Sequence, residues 1–221
     1  MTIQCTLLTS DRSADNDSLL LRHGMYRLRH AIFCERLQWT PCRPDGIEVD
    51  RYDSLDPTYL VAHDERERVY GCWRILPSTG PYMLRDIFGH LLHGEAAPEC
   101  DEVWEISRFA VDPRFAAPNS LGDASNVVGR MLKALLDVGA ERGIDRYVAA
   151  SDVRFERLLA RAGLKTKRNG PPVRMRNSIA VAGWADVTPA NAARIAARLA
   201  DGDPGARRNR TSDGESIDIA A

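Results

Sequence analysis

The stretch Glu105–Asp112, with the sequence EISRFAVD, combines the apolar residues of a buried β-strand with an acid, a hydroxyl and a guanidinium. Taking either charge out of water costs several kcal/mol unless the charge is paired or used in function. Two interpretations therefore stand: a structural salt bridge or wet edge strand, and a functional site. Because side chains alternate along a strand, Glu105 and Arg108 share one cleft only if a bulge interrupts the strand.

Around this stretch, the pattern predicts a strand over Val103–Val111 that ends at Asp112-Pro113. Upstream, the apolar runs Tyr59–His63 and Val69–Ile75 flank a charged turn, which is typical of an antiparallel hairpin. A short helix is expected at about Leu84–Leu92. Nearer the N-terminus, apolar residues at alternating spacings of four and three predict an amphipathic helix capped near Asp17, with this stripe: Leu21, Met25, Leu28 and Ile32.

Downstream of the strand, the chain alternates between helical and strand patterns. Asp123 or Ser125 is expected to cap a long apolar-faced helix that ends near Gly143. The pattern then predicts a strand at Tyr147–Ser151, a helix capped by Asp152, a strand at Ser178–Ala185 and a helix from Thr188-Pro189 to about Ala200. An antiparallel start followed by this alternation predicts an α/β (α+β) fold, in which helices flank both faces of a mixed, twisted sheet.

The composition is that of an ordinary globular protein, with 44% hydrophobic and 28% charged residues among 221. We expect a single domain over residues 1–200 and a disordered tail over residues 201–221, which has few apolar residues. Thirty basic and 31 acidic residues give a net charge of -1, which excludes a bulk attraction to nucleic acid or membrane. Without a long apolar run or a signal-peptide pattern, the protein is expected to be cytoplasmic.

The five cysteines are scattered singly and include no C-x-x-C pair. This usage is typical of reduced thiols in a reducing compartment, so neither a zinc site nor a disulfide framework is expected. We therefore predict no metal. The cysteines are Cys5, Cys34, Cys42, Cys72 and Cys100.

Three clusters of aromatic and charged residues lie before or within the strand predicted at Val103–Val111. In order and spacing they resemble the signature of the acyl-homoserine-lactone synthases, which make quorum-sensing autoinducers. The resemblance runs from Tyr26 to Asp112 and more loosely to Trp184. It implies a fold similar to the GNAT-type N-acetyltransferases, with a splayed central cleft. The nine matching positions are Arg29, Phe33, Trp39, Asp50, Asp53, Arg74, Phe88, Glu105 and Arg108.

The resemblance implies a two-step reaction. The α-amine of S-adenosylmethionine attacks an acyl thioester, and the methionine carboxylate then closes on its own γ-carbon to give an N-acyl-homoserine lactone and methylthioadenosine. Amine attack requires a base, for which Glu105 is the candidate, with Ser107 and Arg108 beside it in the catalytic group. Backbone N–H groups between Phe109 and Val111 are expected to stabilise the oxyanion.

Five residues are carried over to the S-adenosylmethionine end of the cleft: Arg29, Phe33, Trp39, Asp50 and Asp53. A guanidinium suits a carboxylate, acids suit an ammonium or sulfonium, and aromatic rings suit the adenine or sulfonium. The alternative is that the rings are helix-end core and that Arg29 and Asp50 form an ion pair that closes the fold. Arg74 either braces the acidic loop or meets substrate, with bracing favoured, and Phe88 occupies a characteristic aromatic position.

The acyl pocket is expected between the sheet and the long helix, lined by Phe109, Val127, Met131, Leu132 and Val148. At the last position the family has threonine where products carry a 3-oxo group, so valine predicts an unsubstituted acyl chain. A basic ridge of Arg154, Arg157 and Arg161 suits an acidic acyl carrier protein, although a solvated helix face has the same pattern. The donor, acyl carrier protein or acyl-coenzyme A, stays open, and no tightly bound cofactor is expected.

Two other functions were weighed against this one. An ordinary coenzyme A-dependent N-acyltransferase requires a glycine-rich pyrophosphate loop, and the corresponding segment Pro118–Asp123 has no such glycine pair. A binding module for nucleic acid has only a basic C-terminus without interleaved aromatic residues in its favour, and no nucleic-acid partner is expected. That basic set is Arg194, Arg198, Arg207, Arg208 and Arg210.

Overall fold

The computed structural model describes residues 2–9, 15–116, 127–175 and 178–202. Its strands are β1 Gln4–Leu8, β2 Thr58–His63, β3 Val69–Pro77, β4 Val103–Val111, β5 Arg146–Asp152, β6 Lys167–Arg168, β7 Val173–Arg174 and β8 Ile179–Asp186. Its helices are α1 Asn16–Arg29, α2 Met83–Asp86, α3 Pro113–Ala116, α4 Val127–Glu141, α5 Val153–Arg161 and α6 Pro189–Gly202.

One sheet contains all eight strands, in the order β1-β2-β3-β4-β5-β8-β6, with β7 also paired to β8. Every pairing is antiparallel except that of β4 with β5. Helices α4, α5 and α6 contribute to the core on one face, whereas α1 and α2 pack on the other. This arrangement confirms the predicted mixed sheet with helices on both faces.

The helices begin where their side chains can satisfy free backbone N–H groups. Asp15 accepts from the N–H of Ser18 to cap α1, and Asp152 accepts from the N–H of Arg154 to cap α5. After Arg29 the chain continues as a π-helical segment, His30–Arg36, instead of ending. The first predicted helix therefore extends seven residues beyond its α-helical part, in the wider π-helical geometry.

Strand β4 contains the irregularity that a shared cleft requires. Cys72 of β3 faces Ala110, yet Arg74 faces Ser107, so β4 has one more residue than β3 between these pairs. Arg108 lies inside this bulge with φ of 55°, in the left-handed region. The extra residue places Phe109 on the α5 side of the sheet, where it contacts Phe155, and leaves Arg108 on the α1 side.

Strands β4 and β5 pair over only three residues on each strand, Val103–Glu105 with Arg146–Val148. Beyond this short ladder the two strands separate, and a cleft of about 200 Å³ opens between them. Its walls include Ser107 and Phe109 from β4 and Ala149 to Asp152 from β5. The bulge and the cleft therefore occur at the same level of the sheet.

Several elements differ from the sequence-based expectations. The single helix predicted at Leu84–Leu92 is replaced by α2 and a 3₁₀ turn at Gly89–Leu92, because Ile87 and Phe88 end the first turn. The two-residue strands β6 and β7 were not predicted, since so short a segment has no periodic pattern. The expected caps Asp123 and Ser125, the loop Pro118–Asp123 and nearly all of the predicted tail lie outside the described residues.

Within the described part of the chain, no helix is both long and apolar enough to cross a bilayer.

Candidate active site

Three arginines and three carboxylates form a buried cluster on the α1 side of β3 and β4. Arg29 and Arg74 have no exposed side-chain surface, and the side chain of Arg108 is 13% exposed. Their partners are Glu48, Asp50 and Asp53, all from the acidic loop between α1 and β2. Charges this deeply buried are tolerated only when each one is paired and hydrogen-bonded, which is the case here.

Arg29 holds the loop against the end of α1. Its Nε donates to Glu48 Oε2 at 2.5 Å, and its Nη1 and Nη2 donate to the two oxygens of Asp53 at 2.8 and 2.9 Å. Such a bidentate pair is strong because both donors match the carboxylate plane. Arg29 therefore pairs with Glu48 and Asp53 rather than with Asp50.

Arg74 and Arg108 hold the same loop from the sheet. Arg74 Nη1 donates to Asp50 Oδ1 at 2.5 Å and to Asp53 Oδ1 at 3.0 Å, which are the contacts that the bracing interpretation requires. Arg108 Nε donates to Glu48 Oε1 at 3.1 Å, and its Nη2 lies 2.7 Å from Asp50 Oδ2 as an ion pair without hydrogen-bond geometry. Each carboxylate thus contacts two arginines.

The loop is also ordered locally. Asp50 caps the 3₁₀ turn Arg51–Ser54, and Asp53 accepts from the N–H of Asp50 to complete a capping box. Tyr59 on β2 donates its hydroxyl to Asp53 at 2.7 Å. Burial acts to raise the pKa of Asp53, but the hydrogen bond and charge of Arg29, with the charge of Arg74, hold that pKa far below its usual value.

Glu105 is 1% exposed and is not paired with Arg108. Its two carboxylate oxygens accept from the backbone N–H groups of Met83, at 3.1 Å, and Leu84, at 2.6 Å, at the start of α2. Burial raises the pKa of this carboxyl above its usual range, and the hydrogen bonds from Leu84, Met83 and Ser107 offset only part of that effect. A carboxylate with a raised pKa in such a place is suited to proton transfer.

Ser107 connects this acid to the cleft. It follows Glu105 by two residues on the same strand and lines the cleft wall. Its Oγ accepts from Arg74 Nε at 3.2 Å, which leaves the hydroxyl proton free to be donated elsewhere. Met83 lies on the other side, with its Sδ 2.9 Å from Arg74 Nη2 and 3.4 Å from Arg108 Nη1.

Phe33 and Trp39 form an aromatic wall on one side of the cleft. Their rings stack at 5.9 Å, and the guanidinium of Arg108 lies 5.4 Å from the centre of the Phe33 ring. Phe33 is buried, whereas Trp39 is 44% exposed. A wall that is half buried and half open suits the stacking of a planar or cationic ligand better than a purely structural role.

The residues predicted to line the acyl pocket occupy both faces of the sheet. Val127, Met131 and Leu132 lie in the core on the α4 side with Phe109 packed against them, whereas Val148 is buried on the opposite face with Leu84. Val148 directly precedes the residues of β5 that line the cleft, and these come from both faces of the strand. The cleft residues of β5 include Ala149 and Ser151.

The other predicted residues take these positions. Phe88 packs between the small cores around α2 and Tyr52. Arg154, Arg157 and Arg161 are exposed on one side of α5, and Arg154 is bound by Asp152 at 2.9 Å. From the sequence, Glu48 is only one member of an acidic loop. Its one distinguishing feature is its position two residues before Asp50, which caps the 3₁₀ turn.

Comparison with known proteins agrees with this geometry. Residues 14–195 match the family model described as autoinducer synthase. The acyl-homoserine-lactone synthase of Ralstonia solanacearum is 40% identical over 179 residues, which cover 80% of this chain and 87% of the relative. The crystal structure of the acyl-homoserine-lactone synthase LasI superposes with a TM-score of 0.74 at 33% identity, covering 91% of this chain and 96% of LasI.

Two further structures extend the comparison. The structure of BjaI, a coenzyme A-dependent acyl-homoserine-lactone synthase with S-adenosylmethionine and isopentyl-coenzyme A, has a TM-score of 0.78 at 26% identity, covering 92% of this chain and 91% of BjaI. A putative N-acetyltransferase from Lactobacillus plantarum has a TM-score of 0.55 at 14% identity, covering 85% of this chain and 100% of its own. The second likeness concerns the fold alone and confirms the predicted GNAT-type architecture.

Replacing Asp53 by Asn should lower the free energy of unfolding by about 3–5 kcal/mol, because it leaves Arg29 and Arg74 buried with too little negative charge. Urea unfolding at neutral pH measures the change. The matched control is Asp45→Asn in the same loop, where the partner Arg43 is 56% exposed and a change within about 0.5 kcal/mol is expected. Equal stability of the two variants would contradict the buried role of Asp53.

Proposed function

This chain belongs to the autoinducer synthase family and is an acyl-transferring enzyme, and from that premise we propose that it is an acyl-homoserine-lactone synthase. It acylates the α-amine of S-adenosylmethionine from an acyl thioester, and lactonisation then releases methylthioadenosine. The observation that carries this proposal is the bulge in β4, since it brings Glu105, Ser107 and Arg108 to one side of an open cleft.

We assign the S-adenosylmethionine end to the aromatic wall and to the two partly exposed charges beside it. Asp50 is 18% and Arg108 13% exposed in their side chains, so each can exchange part of its present pairing for an ammonium or a carboxylate. Phe33 and Trp39 stack on the adenine or lie against the sulfonium. Arg29 and Asp53 are too deeply buried for direct contact and position the other members.

In the first step, Glu105 accepts the proton that the α-ammonium must lose before its nitrogen attacks the thioester carbon. Ser107 lines the cleft, whereas Glu105 lies behind it. The proton therefore passes to Glu105 through the Ser107 hydroxyl. Arg74 donates to Ser107 Oγ and so orients its proton away from the guanidinium. The new amide bond forms as the thiolate leaves.

The developing oxyanion needs hydrogen-bond donors that the strand ladder does not use. A bulge leaves backbone groups unpaired at the inserted residue, and here it directly precedes Phe109. We therefore propose backbone N–H groups from Phe109 to Val111 as the oxyanion site. The second step, attack of the methionine carboxylate on the γ-carbon, needs no further proton acceptor because the carboxylate is already ionised.

The acyl chain is proposed to lie between α5 and strands β4, β5 and β8, where Ile106, Phe155 and Leu159 line a narrow apolar space. The pocket predicted from the sequence lies beside α4 instead. The cleft face of β5 begins with Ala149, which has no side-chain donor for a 3-oxo group. An unsubstituted chain is still proposed because Val148, at the position where the family has threonine with 3-oxo products, also has no donor, at a preference of roughly 1–2 kcal/mol.

For the donor, we propose docking of an acidic acyl carrier protein at Arg154, Arg157 and Arg161. The last two have no ion pair within the described residues and are exposed, so their charges are available to a partner. Acyl-coenzyme A is the second candidate, supported by the likeness to BjaI. An ordinary coenzyme A-dependent N-acyltransferase remains the alternative function and would give an acylated amine without a lactone.

Mass spectrometry of ethyl-acetate extracts from cells that express the chain tests the function directly. The expected product is an N-acyl-homoserine lactone with an unsubstituted chain, absent from cells that carry the empty vector. With soluble protein and an acyl donor confirmed in the host, the absence of any such lactone would refute the proposal.

The proton route predicts different losses for two variants in the purified enzyme. Glu105→Gln should lower kcat about 10²- to 10⁴-fold and remove the acidic limb of the pH profile, which in the parent lies above the usual glutamate pKa of about 4.3 because burial raises it. Ser107→Ala should lower kcat only about 5- to 10-fold and keep that limb, because a water molecule can take the place of the hydroxyl between the amine and Glu105. Far-UV circular dichroism confirms the fold of both.

A Glu105→Gln variant with parent kcat would refute the base assignment. Equal losses of more than 10²-fold in both variants would show that no water molecule can replace the Ser107 hydroxyl in the relay.

Charge reversal on α5 separates the two donors. The double change Arg157→Glu and Arg161→Glu should raise the KM for an acyl carrier protein donor at least tenfold, with the KM for S-adenosylmethionine unchanged, because only the carrier carries an acidic surface. Lys133→Glu on α4, exposed and away from the cleft, is the matched control. An unchanged KM for the carrier would contradict docking at this ridge.

A further inference from the structure

Three ligand-type side chains meet at the end of the first helix, beside the aromatic wall. His30 and Cys34 lie four residues apart in the π-helical segment, and Cys42 follows in the next loop. A ring nitrogen of His30 and the Sγ atoms of the two cysteines all lie within 4.8 Å of one another. None of the three has a part in the reaction proposed above.

The loop that carries Cys42 is already folded back onto the helix. The backbone N–H groups of Trp39 and Thr40 both donate to the Phe33 carbonyl, at 2.8 and 3.3 Å. Cys34 Sγ lies 3.2 Å from Thr40 Oγ1, which orients the thiol towards the loop. The three ligand atoms are thus brought together by backbone hydrogen bonds and not by chance contact of flexible side chains.

His30 gives an independent indication of a missing ligand. The residue is 8% exposed, yet its Nε2 has no hydrogen-bond partner among the described residues. Its Nδ1 lies 3.4 Å from Glu35 Oε1. An unsatisfied buried ring nitrogen is destabilising, and an imidazole with a carboxylate beside one nitrogen is the usual setting of a metal ligand.

We propose that His30, Cys34 and Cys42 bind a soft divalent cation of the Zn²⁺ class, with a water molecule as the fourth ligand and Glu35 beside the other ring nitrogen of His30. Two thiolates and one imidazole are the donor set that such ions prefer. With Zn–S bonds of about 2.3 Å, tetrahedral ligand atoms are about 3.5–3.8 Å apart, so the site closes by roughly 1 Å at most. Cys42 is exposed and provides the entry path.

Binding releases the two thiol protons as the metal–sulfur bonds form, with no change in oxidation state. Because the cation displaces these protons, affinity should increase with pH. The cation would clamp the loop after Trp39 to the helix that carries Phe33. It would therefore hold the aromatic wall of the cleft in place, independently of which acyl donor is used.

The cysteine spacing does not indicate this site, because Cys34 and Cys42 are eight residues apart and no C-x-x-C motif marks them. The prediction of no metal site rested on that motif alone. A π-helical turn and a folded-back loop bring the ligands together, and neither is legible from the spacing.

Cobalt titration of the fully reduced, metal-free protein tests the proposal without an activity assay. One equivalent of Co²⁺ should give the thiolate-to-cobalt charge-transfer band and the intense visible bands of a tetrahedral site, and Zn²⁺ should abolish both by displacement. Cys42→Ser should lower the charge-transfer intensity by about half and weaken Co²⁺ binding at least tenfold, in line with the loss of one of two thiolate ligands. The exposed and remote Cys100→Ser is the matched control and should be indistinguishable from the parent.

His30→Gln provides a second variant that keeps both thiols and should also weaken binding at least tenfold. Thiol counting by alkylation in each sample verifies that no disulfide has formed. The proposal fails if equimolar Co²⁺ produces no thiolate bands, or if the bands are the same in Cys42→Ser as in the parent. Lactone synthesis is not measured in this experiment, so its outcome and that of the proposed function are separate.

Discussion

The rest of the site depends on the pairing of three buried arginines with three carboxylates from one loop. In isolation each of these charges would destabilise the fold by several kcal/mol, because it lies between α1 and the sheet and is largely shielded from water. Together the three arginines and three carboxylates have no net charge, and each carboxylate bridges two arginines. The acidic loop is thereby fixed to helix and sheet at once, which defines the position of Asp50 beside the cleft.

The bulge in β4 depends on the same pairing. A non-glycine residue in the left-handed region costs roughly 1–2 kcal/mol, and Arg108 adopts it at φ of 55°. The ion pairs to Glu48 and Asp50 offset that strain, because they form only when Arg108 faces the loop. A local irregularity that is costly and compensated by specific contacts is what functional sites commonly contain. Here it converts an alternating strand into one that presents acid, hydroxyl and guanidinium on one side.

Much of this arrangement could be predicted from the sequence, and what could not has identifiable causes. The bounds of β4 follow from its apolar run and from Asp112-Pro113, which end it. The need for a bulge follows from the spacing of Glu105 and Arg108, because alternation along a strand is a local rule. Where β4 and β5 separate is not a local property, so the position of Val148 relative to the cleft could not be predicted from the sequence. Glu48 was missed because an acidic loop has the same composition whether its members are solvated or buried.

The backbone interactions of Glu105 were also beyond the sequence. Its two acceptor contacts come from α2, a helix of four residues that has no clear periodicity and was expected to begin later and run longer. Because of these contacts, Glu105 is a buried acid held beside Ser107 and not the partner of Arg108. The family resemblance indicated that Glu105 matters, and the geometry suggests how it reaches the substrate.

The most direct test of this account is a crystal structure of the protein with S-adenosylmethionine and a non-hydrolysable acyl-thioester analogue. The account predicts the α-amine nitrogen within hydrogen-bond distance, about 2.6–3.2 Å, of Ser107 Oγ, with the Glu105 carboxylate beyond it on the same side of β4. An amine on the α4 side of the strand, or one whose only proton acceptor is a group other than Ser107 or Glu105, would contradict it.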